Sequence, residues 1–190
     1  IRKSWKQIRS SVSKTVDLLV SFGFSGETLT SQNAIIPVAY HLIKGGTDKD
    51  SRTEIRRYLI HVLLKQTFGG QGDQVLSNLR EGLRKKKDKD YILANDRFSF
   101  VSLLKVKLPG NRSMKITDED IQEMLVYRKS AYSFIVLSFL YPQLKFGQVE
   151  FHQDHIHPAS WFTDSKLKKA GIPDSNWAQW QEIKDTLPNL

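Results

Sequence analysis

The 190-residue sequence has no cysteine and no apolar run long enough to cross a bilayer. Without cysteine there is no disulfide framework, thiolate zinc site, iron–sulfur cluster or cysteine nucleophile, so any metal must be bound by His, Asp, Glu, Asn or water. The longest apolar stretch, 134–141, ends at Pro142 and is far shorter than the roughly 18 residues of a membrane span. A signal-peptide core and an initiator Met are also missing, which predicts a cytoplasmic piece of a longer protein.

The charge that is present has mostly one sign. Lys and Arg number 29 against 20 Asp and Glu, which gives a formal net charge of +9. The 39% hydrophobic and 11% aromatic content is too high for a disordered chain. A balance of +9 favours a polyanionic partner, with nucleic acid ahead of a membrane surface.

Hydrophobic spacing predicts a mainly α fold, with a bundle of about six helices as the first domain, residues 1–145. The first helix ends at Gly23, and an apolar stripe from Trp5 to Val20 is expected to face inward. Further helices are expected at 34–43 and 51–67, the latter with Ile55, Tyr58, Leu59, Val62 and Leu63 facing inward.

Three more helices complete the predicted bundle. Asp73 is expected to cap a helix whose basic tail is Arg84, Lys85, Lys86 and Lys87, a run that is either a solvated helix end or a contact for a DNA backbone. Thr117 and Asp120 have capping-box spacing ahead of the next helix. The last, 130–140, is apolar nearly all round and is therefore expected to be the central buried helix.

Residues 146–190 are predicted to form a second, smaller unit. The stretch 149–156 is the one convincing extended segment, and two short helical pieces are expected at 164–169 and 175–186. Within or next to the extended segment lie His152, Asp154, His155 and His157. If it is a strand, His152 and Asp154 lie on one side and the other two histidines on the opposite side.

This cluster contains the groups needed for phosphodiester hydrolysis. Asp154 offers the hard oxygen ligand that Mg²⁺ or Mn²⁺ prefers, and a neutral His155 can take a proton from water near pH 7. Other interpretations remain open: a surface turn with incidental histidines, or a zinc site built from His152, Asp154 and His157. The outer histidines, His152 and His157, either surround the metal site or contact phosphate, or they are simply packed in the protein or exposed to solvent.

The sequence Asp154-His155-Ile156-x-Pro158 resembles the first motif of the HNH, or ββα-metal, nucleases. The resemblance implies that Asp154 binds a single divalent cation and that His155 is the general base. Asn189, in the pair Asn189-Leu190, matches the family's asparagine that orients the histidine. It also implies that the fold ends in a partial HNH module whose second metal ligand follows Leu190, so that this chain alone is expected to be inactive.

Other segments extend the resemblance to nearly the whole chain. Phe22-Gly23-Phe24, 31–40, 68–73 and Leu140-Tyr141-Pro142 are similar to a bacterial family that includes GmrSD-type, modification-dependent restriction systems against phage DNA. Its members join a ParB/sulfiredoxin-like nucleotide-hydrolysing domain to a helical middle and a C-terminal HNH nuclease. The implied partners are DNA, that upstream domain and a second copy of the chain. The alternative is a basic helical module that binds DNA or protein without catalysis.

Overall fold

The computed structural model describes residues 4–144 and 148–190, and these are mainly helical. They form nine α-helices and a two-stranded sheet: α1 Trp5–Ser21, α2 Ile35–Ile43, α3 Arg52–Leu64, α4 Gly72–Leu83, β1 Arg84–Lys87, β2 Asp90–Leu93, α5 Phe100–Leu103, α6 Asp118–Leu125, α7 Ala131–Leu140, α8 Asp164–Lys169 and α9 Trp177–Ile183. The prediction of a mainly α protein is confirmed. The predicted boundary between residues 145 and 146 lies outside the described residues. None of the described helices has the length and apolarity that a bilayer span requires.

Helix α3 is the centre of the core. The five side chains predicted to face inward are all fully buried: Ile55, Tyr58, Leu59, Val62 and Leu63. Charged and polar residues occupy the remaining side, as expected for an amphipathic helix. The periodicity therefore identified the inner face of this helix correctly.

The prediction that α7 is the central buried helix is wrong. Its buried positions are Ser133, Ile135 and Ser138, whereas Phe139 and Leu140 are 53% and 58% exposed. The helix packs on α3 through this narrow face, and both serines are satisfied, since Ser138 Oγ donates to the Ile135 carbonyl and Ser133 belongs to the N-terminal capping box. Small residues with satisfied hydrogen bonds allow two helices to lie close together. The α7 sequence is apolar nearly all round, so its hydrophobic pattern does not indicate which face is buried.

The inner face of α1 was also assigned wrongly. Its buried residues are Ser11, Thr15, Leu18 and Leu19. Most of the predicted stripe is instead exposed, with relative exposures of 40% to 57% at Trp5, Val12, Val16 and Val20. Helix α1 packs on α2, and Thr15 Oγ1 donates to the Ser11 carbonyl at 2.8 Å. An apolar stripe thus faces away from the rest of the described structure.

The basic run after α4 is a β-strand, not the predicted helix tail. The chain passes directly from Leu83 into β1, which pairs antiparallel with β2 in the register Arg84↔Leu93 to Lys87↔Asp90. Asp88, at φ 54°, starts the two-residue turn, a conformation that Asp tolerates better than most residues. The predicted cap is also wrong, since Gln71 precedes the helix and Asp73 lies in its first turn.

The predicted capping box at the start of α6 is confirmed. The Asp120 backbone N–H donates to Thr117 Oγ1, and the Thr117 N–H donates to Asp120 Oδ2. Lys65 Nζ lies 2.5 Å from Asp120 Oδ1, and this hydrogen bond lowers the pKa of the Asp120 carboxyl. The cap therefore also joins α6 to the end of α3.

Two core histidines differ in how their ring nitrogens are satisfied. His61 Nδ1 lies 2.8 Å from the Met114 carbonyl oxygen. His41, 1% exposed, makes no well-formed ring hydrogen bond within the described structure and packs edge-on against Phe98, with ring centroids 5.4 Å apart. Burial lowers the pKa of both imidazoles, and a backbone interaction, of His41 with Thr47 and of His61 with Met114, offsets only part of this effect. The fold thus favours the neutral form of both rings.

The C-terminal part contains the two short helices that were expected, α8 and α9. Phe162 and Trp180 pack together with ring centroids 6.5 Å apart. An antiparallel bridge joins Arg128 to Thr186, and Leu187 belongs to the main hydrophobic core. Residues 150–155, predicted to be extended, follow no regular ladder.

Candidate functional site

The histidine-rich segment is fixed to the helical part through Gln153. Its Oε1 accepts a hydrogen bond from Ser133 Oγ at 2.5 Å, and its Nε2 donates to the Ser130 carbonyl at 2.8 Å. Ser130 and Ser133 are the two residues of the α7 capping box, so the helix N-terminus fixes the segment. The segment is therefore positioned without being part of a sheet.

Asn189 holds the far end of the same segment. Its Oδ1 accepts the His157 backbone N–H at 2.8 Å, and its Nδ2 donates to the His157 carbonyl at 3.0 Å and the Lys184 carbonyl at 2.7 Å. The Ile156 N–H donates to the Asn189 carbonyl oxygen at 2.8 Å. Asn189 is only 4% exposed, which makes it an internal clamp between two segments more than 30 residues apart.

His155 lies between two carboxylates. Its Nε2 is 3.2 Å from Asp185 Oδ1, within hydrogen-bond distance. Its Nδ1 is 3.7 Å from Asp154 Oδ1, which is too long for a hydrogen bond. Asp154 Oδ1 instead accepts the His155 backbone N–H at 2.8 Å.

The side chains of His155, Asp185 and Asp154 differ in how far they are exposed to solvent. The His155 side chain is 29% exposed, Asp185 is 40% exposed and Asp154 is 94% exposed. Asp154 therefore presents its carboxylate to solvent, whereas the imidazole beside it is partly enclosed. Asp154 and His155 lie together here, in contrast to the opposite sides expected for a regular strand.

The two outer histidines have other environments. His152 is 77% exposed, with Nε2 3.6 Å from Glu150 Oε1. The His157 ring stacks on Trp161 with centroids 6.3 Å apart, while its backbone is held by Asn189. His152 is thus solvated, His157 is exposed apart from its stack on Trp161, and neither pairs with Asp154.

The four basic residues at 84–87 do not all have the same environment. The Arg84 guanidinium lies 3.7 Å from the Tyr91 ring centroid and its Nη2 is 2.5 Å from Glu81 Oε1. Arg84 is therefore a structural residue at the base of the hairpin. Lys86 and Lys87 are exposed in the strand, and Lys85 is exposed with one long contact to the Ala94 carbonyl at 3.4 Å.

Two observations concern whether the histidine-rich segment could bind a metal ion. Among residues 4–144 and 148–190, no three His, Asp or Glu side chains are grouped so as to hold an ion, and so the zinc site from His152, Asp154 and His157 does not form. Mg²⁺, however, is commonly held by one or two carboxylates together with water and substrate phosphate oxygens. The exposed Asp154 carboxylate fits such a site.

A cleft adjoins Asp154. It has a volume of about 260 Å³ and lies between α7 and the histidine-rich segment, with mostly apolar walls that include Leu137, Tyr141 and Leu190. Asp154 and Gln153 supply polar atoms to its lining. A chemical group that entered this cleft would lie beside the exposed carboxylate.

Sequence reasoning missed Asp185. No motif marks it, because its partner His155 is 30 residues away. The one available signal was its position four residues before Asn189, which places both in the short segment that returns to the histidine. The Arg128–Thr186 bridge and the Asn189 clamp together bring this segment into place.

No model of a known protein family matches this chain, and no curated protein matches it either.

Proposed function

We propose that the segment around Asp154 and His155 is the catalytic part of an HNH-type, metal-dependent DNA endonuclease. The observation that carries the proposal is the environment of His155: each ring nitrogen faces one carboxylate, and Asn189 clamps the backbone two residues further on. This arrangement is compatible with the roles that the resemblance assigns to Asp154, His155 and Asn189. The +9 net charge supports a polyanionic substrate.

His155 is the general base in this proposal. An Nε2–H donated to Asp185 leaves the Nδ1 lone pair free, and Nδ1 is the nitrogen nearer Asp154. Nδ1 then takes a proton from the attacking water, and Asp185 stabilises the imidazolium that forms. Asp185 thus has a positioning role that the sequence did not predict.

Asp154 is the residue that would hold Mg²⁺ or Mn²⁺. When bound, such a cation neutralises charge on the phosphate and the leaving oxygen. Asn189 contributes by restricting the backbone of 156–157, which fixes where the His155 ring lies. We also propose, from the resemblance, a setting in modification-dependent restriction of phage DNA, with a ParB-like nucleotide-hydrolysing domain and a second copy as partners.

The test is nicking of supercoiled plasmid with Mg²⁺, with Mn²⁺ and with chelator, by this chain and by the natural full-length protein. We expect metal-dependent nicking by the full-length protein, lost in His155→Ala with DNA affinity kept. Asp185→Asn is expected to lower the rate and change its pH profile, while His152→Ala serves as the matched control. Absence of metal-dependent nicking by the full-length protein contradicts the proposal.

The second candidate is a DNA-binding module without catalysis. It is favoured by the exposed lysines of β1. In that case His155→Ala changes no catalytic readout. Salt-dependent DNA binding is expected for both candidates and does not separate them.

A further inference from the structure

We infer that the β1–β2 hairpin is a DNA-docking ribbon whose lysines at 85, 86, 87 and 89 engage the backbone of B-form duplex DNA along the major groove. The choice of DNA rests on the proposed function. The binding role of the hairpin does not require the catalytic chemistry. The observation that carries it is the conversion of a basic run into a projecting two-stranded structure.

The base of the hairpin is firmly held. The Arg84 guanidinium covers the Tyr91 ring, Leu93 is buried, and the Ala94 N–H donates to the Leu83 carbonyl at 2.9 Å. From the neighbouring helix end, Lys44 Nζ donates to the Tyr91 carbonyl at 3.0 Å. Since β1 follows α4 without a loop, the orientation of the ribbon is set by the helix.

The far end is exposed on both faces. Exposure increases from the partly buried Arg84 to exposed positions at 85–91, and the turn carries Lys89. Alternation along the strand places Lys85 and Lys87 on one face and Lys86 on the other. Positive charge thus lies on both sides of the ribbon.

The acidic residues in the ribbon cancel only part of this charge. The acids are Asp88 in the turn and Asp90, which is directly opposite Lys87 in the register. No ion pair within the described residues involves any of the four lysines at 85, 86, 87 and 89. These cations are available to an outside anion.

The dimensions favour a particular partner. Two strands about 4.8 Å apart, extending roughly 13 Å over four residues, make a ribbon of the size that the B-DNA major groove admits. That groove is about 12 Å wide, so the long lysine side chains of an inserted ribbon can reach phosphates along its walls. The A-form RNA major groove is deep and narrow and excludes such an element.

The competing explanation is protection of strand edges. Both strands of a two-stranded sheet are edges, and lysines on edges prevent pairing with other chains. Under this explanation the four lysines have no ligand. DNA affinity then does not depend on them beyond their contribution to net charge.

The experiment measures binding of a DNA duplex of about 20 base pairs by the 190-residue chain between about 50 and 200 mM salt, with chelator present so that cleavage does not interfere. The ribbon variant replaces Lys85, Lys86, Lys87 and Lys89 by Gln. The control variant removes equal charge at exposed lysines elsewhere: Lys14, Lys105, Lys107 and Lys115. Melting curves for both variants verify that the fold is kept.

We expect the ribbon variant to bind at least about tenfold more weakly. Its salt slope should fall by about 0.9 for each phosphate that the protein no longer neutralises, thus by about 2 to 4. The control should change affinity less than about threefold. Asp90→Asn, which removes a negative charge opposite Lys87, should tighten binding severalfold.

Several outcomes overturn the inference. Equal weakening of the two variants reduces the effect to net charge, and unchanged affinity leaves edge protection as the explanation. Preference for duplex RNA over DNA assigns the surface to another partner. If the ribbon variant loses affinity while full-length protein shows no nicking, the docking inference stands and the nuclease proposal fails; loss of nicking in His155→Ala with normal affinity in the ribbon variant gives the reverse.

Discussion

Removal of the Asn189 side chain tests the local architecture of the candidate site independently of any catalytic activity. Asn189→Ala deletes three hydrogen bonds, one to the His157 N–H and two to the carbonyls of His157 and Lys184. A hydrogen bond between neutral groups contributes about 1 kcal/mol, so the clamp is expected to stabilise the segment by roughly 3 kcal/mol. Backbone bonds elsewhere in the segment are unaffected by the substitution.

The assay is amide hydrogen exchange resolved by residue. A loss of about 3 kcal/mol accelerates exchange through local opening roughly a hundredfold. We expect this at the His157 amide, whose acceptor is removed, and a smaller effect at Ile156, whose acceptor is the Asn189 backbone. Amides in the middle of α3 should not change.

Two further variants make the test specific. Asn176→Ala alters an exposed asparagine whose Oδ1 accepts a hydrogen bond from Ser175 Oγ, and it should leave exchange at His157 unchanged. Asn189→Asp keeps the acceptor for the His157 N–H but removes both donors, so it should be nearly as damaging as Ala. Wild-type exchange at His157 in Asn189→Ala would refute the clamp.

Three other predictions concern the core. Tyr58→Phe removes a fully buried hydroxyl that has no hydrogen-bond partner among the described residues, and it should raise the free energy of unfolding in urea by up to about 1 kcal/mol; a decrease of more than about 1 kcal/mol would mean that the hydroxyl is paired. Because His41 and His61 have lowered pKa values in the folded state, the unfolded chain binds more protons below about pH 6.5, and stability should fall from that pH toward the folded-state values by up to about 1.4 kcal/mol per pH unit for each histidine. Equal unfolding midpoints at about pH 7.5 and about pH 5.5 would contradict this. Gly46→Ala should cost about 1–3 kcal/mol, because a Cβ there lies 2.1 Å from His41 Nε2, and the cost should shrink in combination with His41→Ala; Gly26→Ala, where the Cβ meets nothing, is the control.

Local signals in the sequence were reliable where one short stretch contains all the interacting groups. The Thr117–Asp120 capping box and the inner face of α3 were both predicted, because the residues that define them lie within a few turns of one helix. The glycine at the end of α1 also matched the predicted helix end. Such features depend only on residues that are close together along the chain, so the sequence is sufficient to predict them.

The buried face of a helix was harder to predict than the presence of the helix. In α1 most of the more hydrophobic stripe faces outward, while the buried residues include the small Ser11 and Thr15. In α7 the buried positions likewise include the small Ser133 and Ser138. Hydrophobic periodicity ranks faces by composition and carries no information about how closely two helices approach.

In the candidate site, too, some residues were predictable from a local motif and others were not. Its first half, Asp154 with His155, was identified from the motif, and Asn189 from its similarity to the family pattern. Asp185 was not, since its contact with His155 is made across 30 residues. The basic run at 84–87 was predicted to be the tail of a helix, but it forms a strand. Its pairing with β2 depends on the turn at Asp88 and on the packing of Arg84 over Tyr91, which the spacing of residues does not reveal.

The mainly helical class, the positions of most helices, the excess of positive charge and the histidine-rich segment are all predictable from the amino-acid sequence. Each of these is a property of composition or of short-range spacing. Three features required the folded structure: which helix faces are buried, the strand formed by the lysine run, and the position of His155 between Asp154 and Asp185. These depend on contacts between segments distant along the chain, whose geometry arises when the helices pack together.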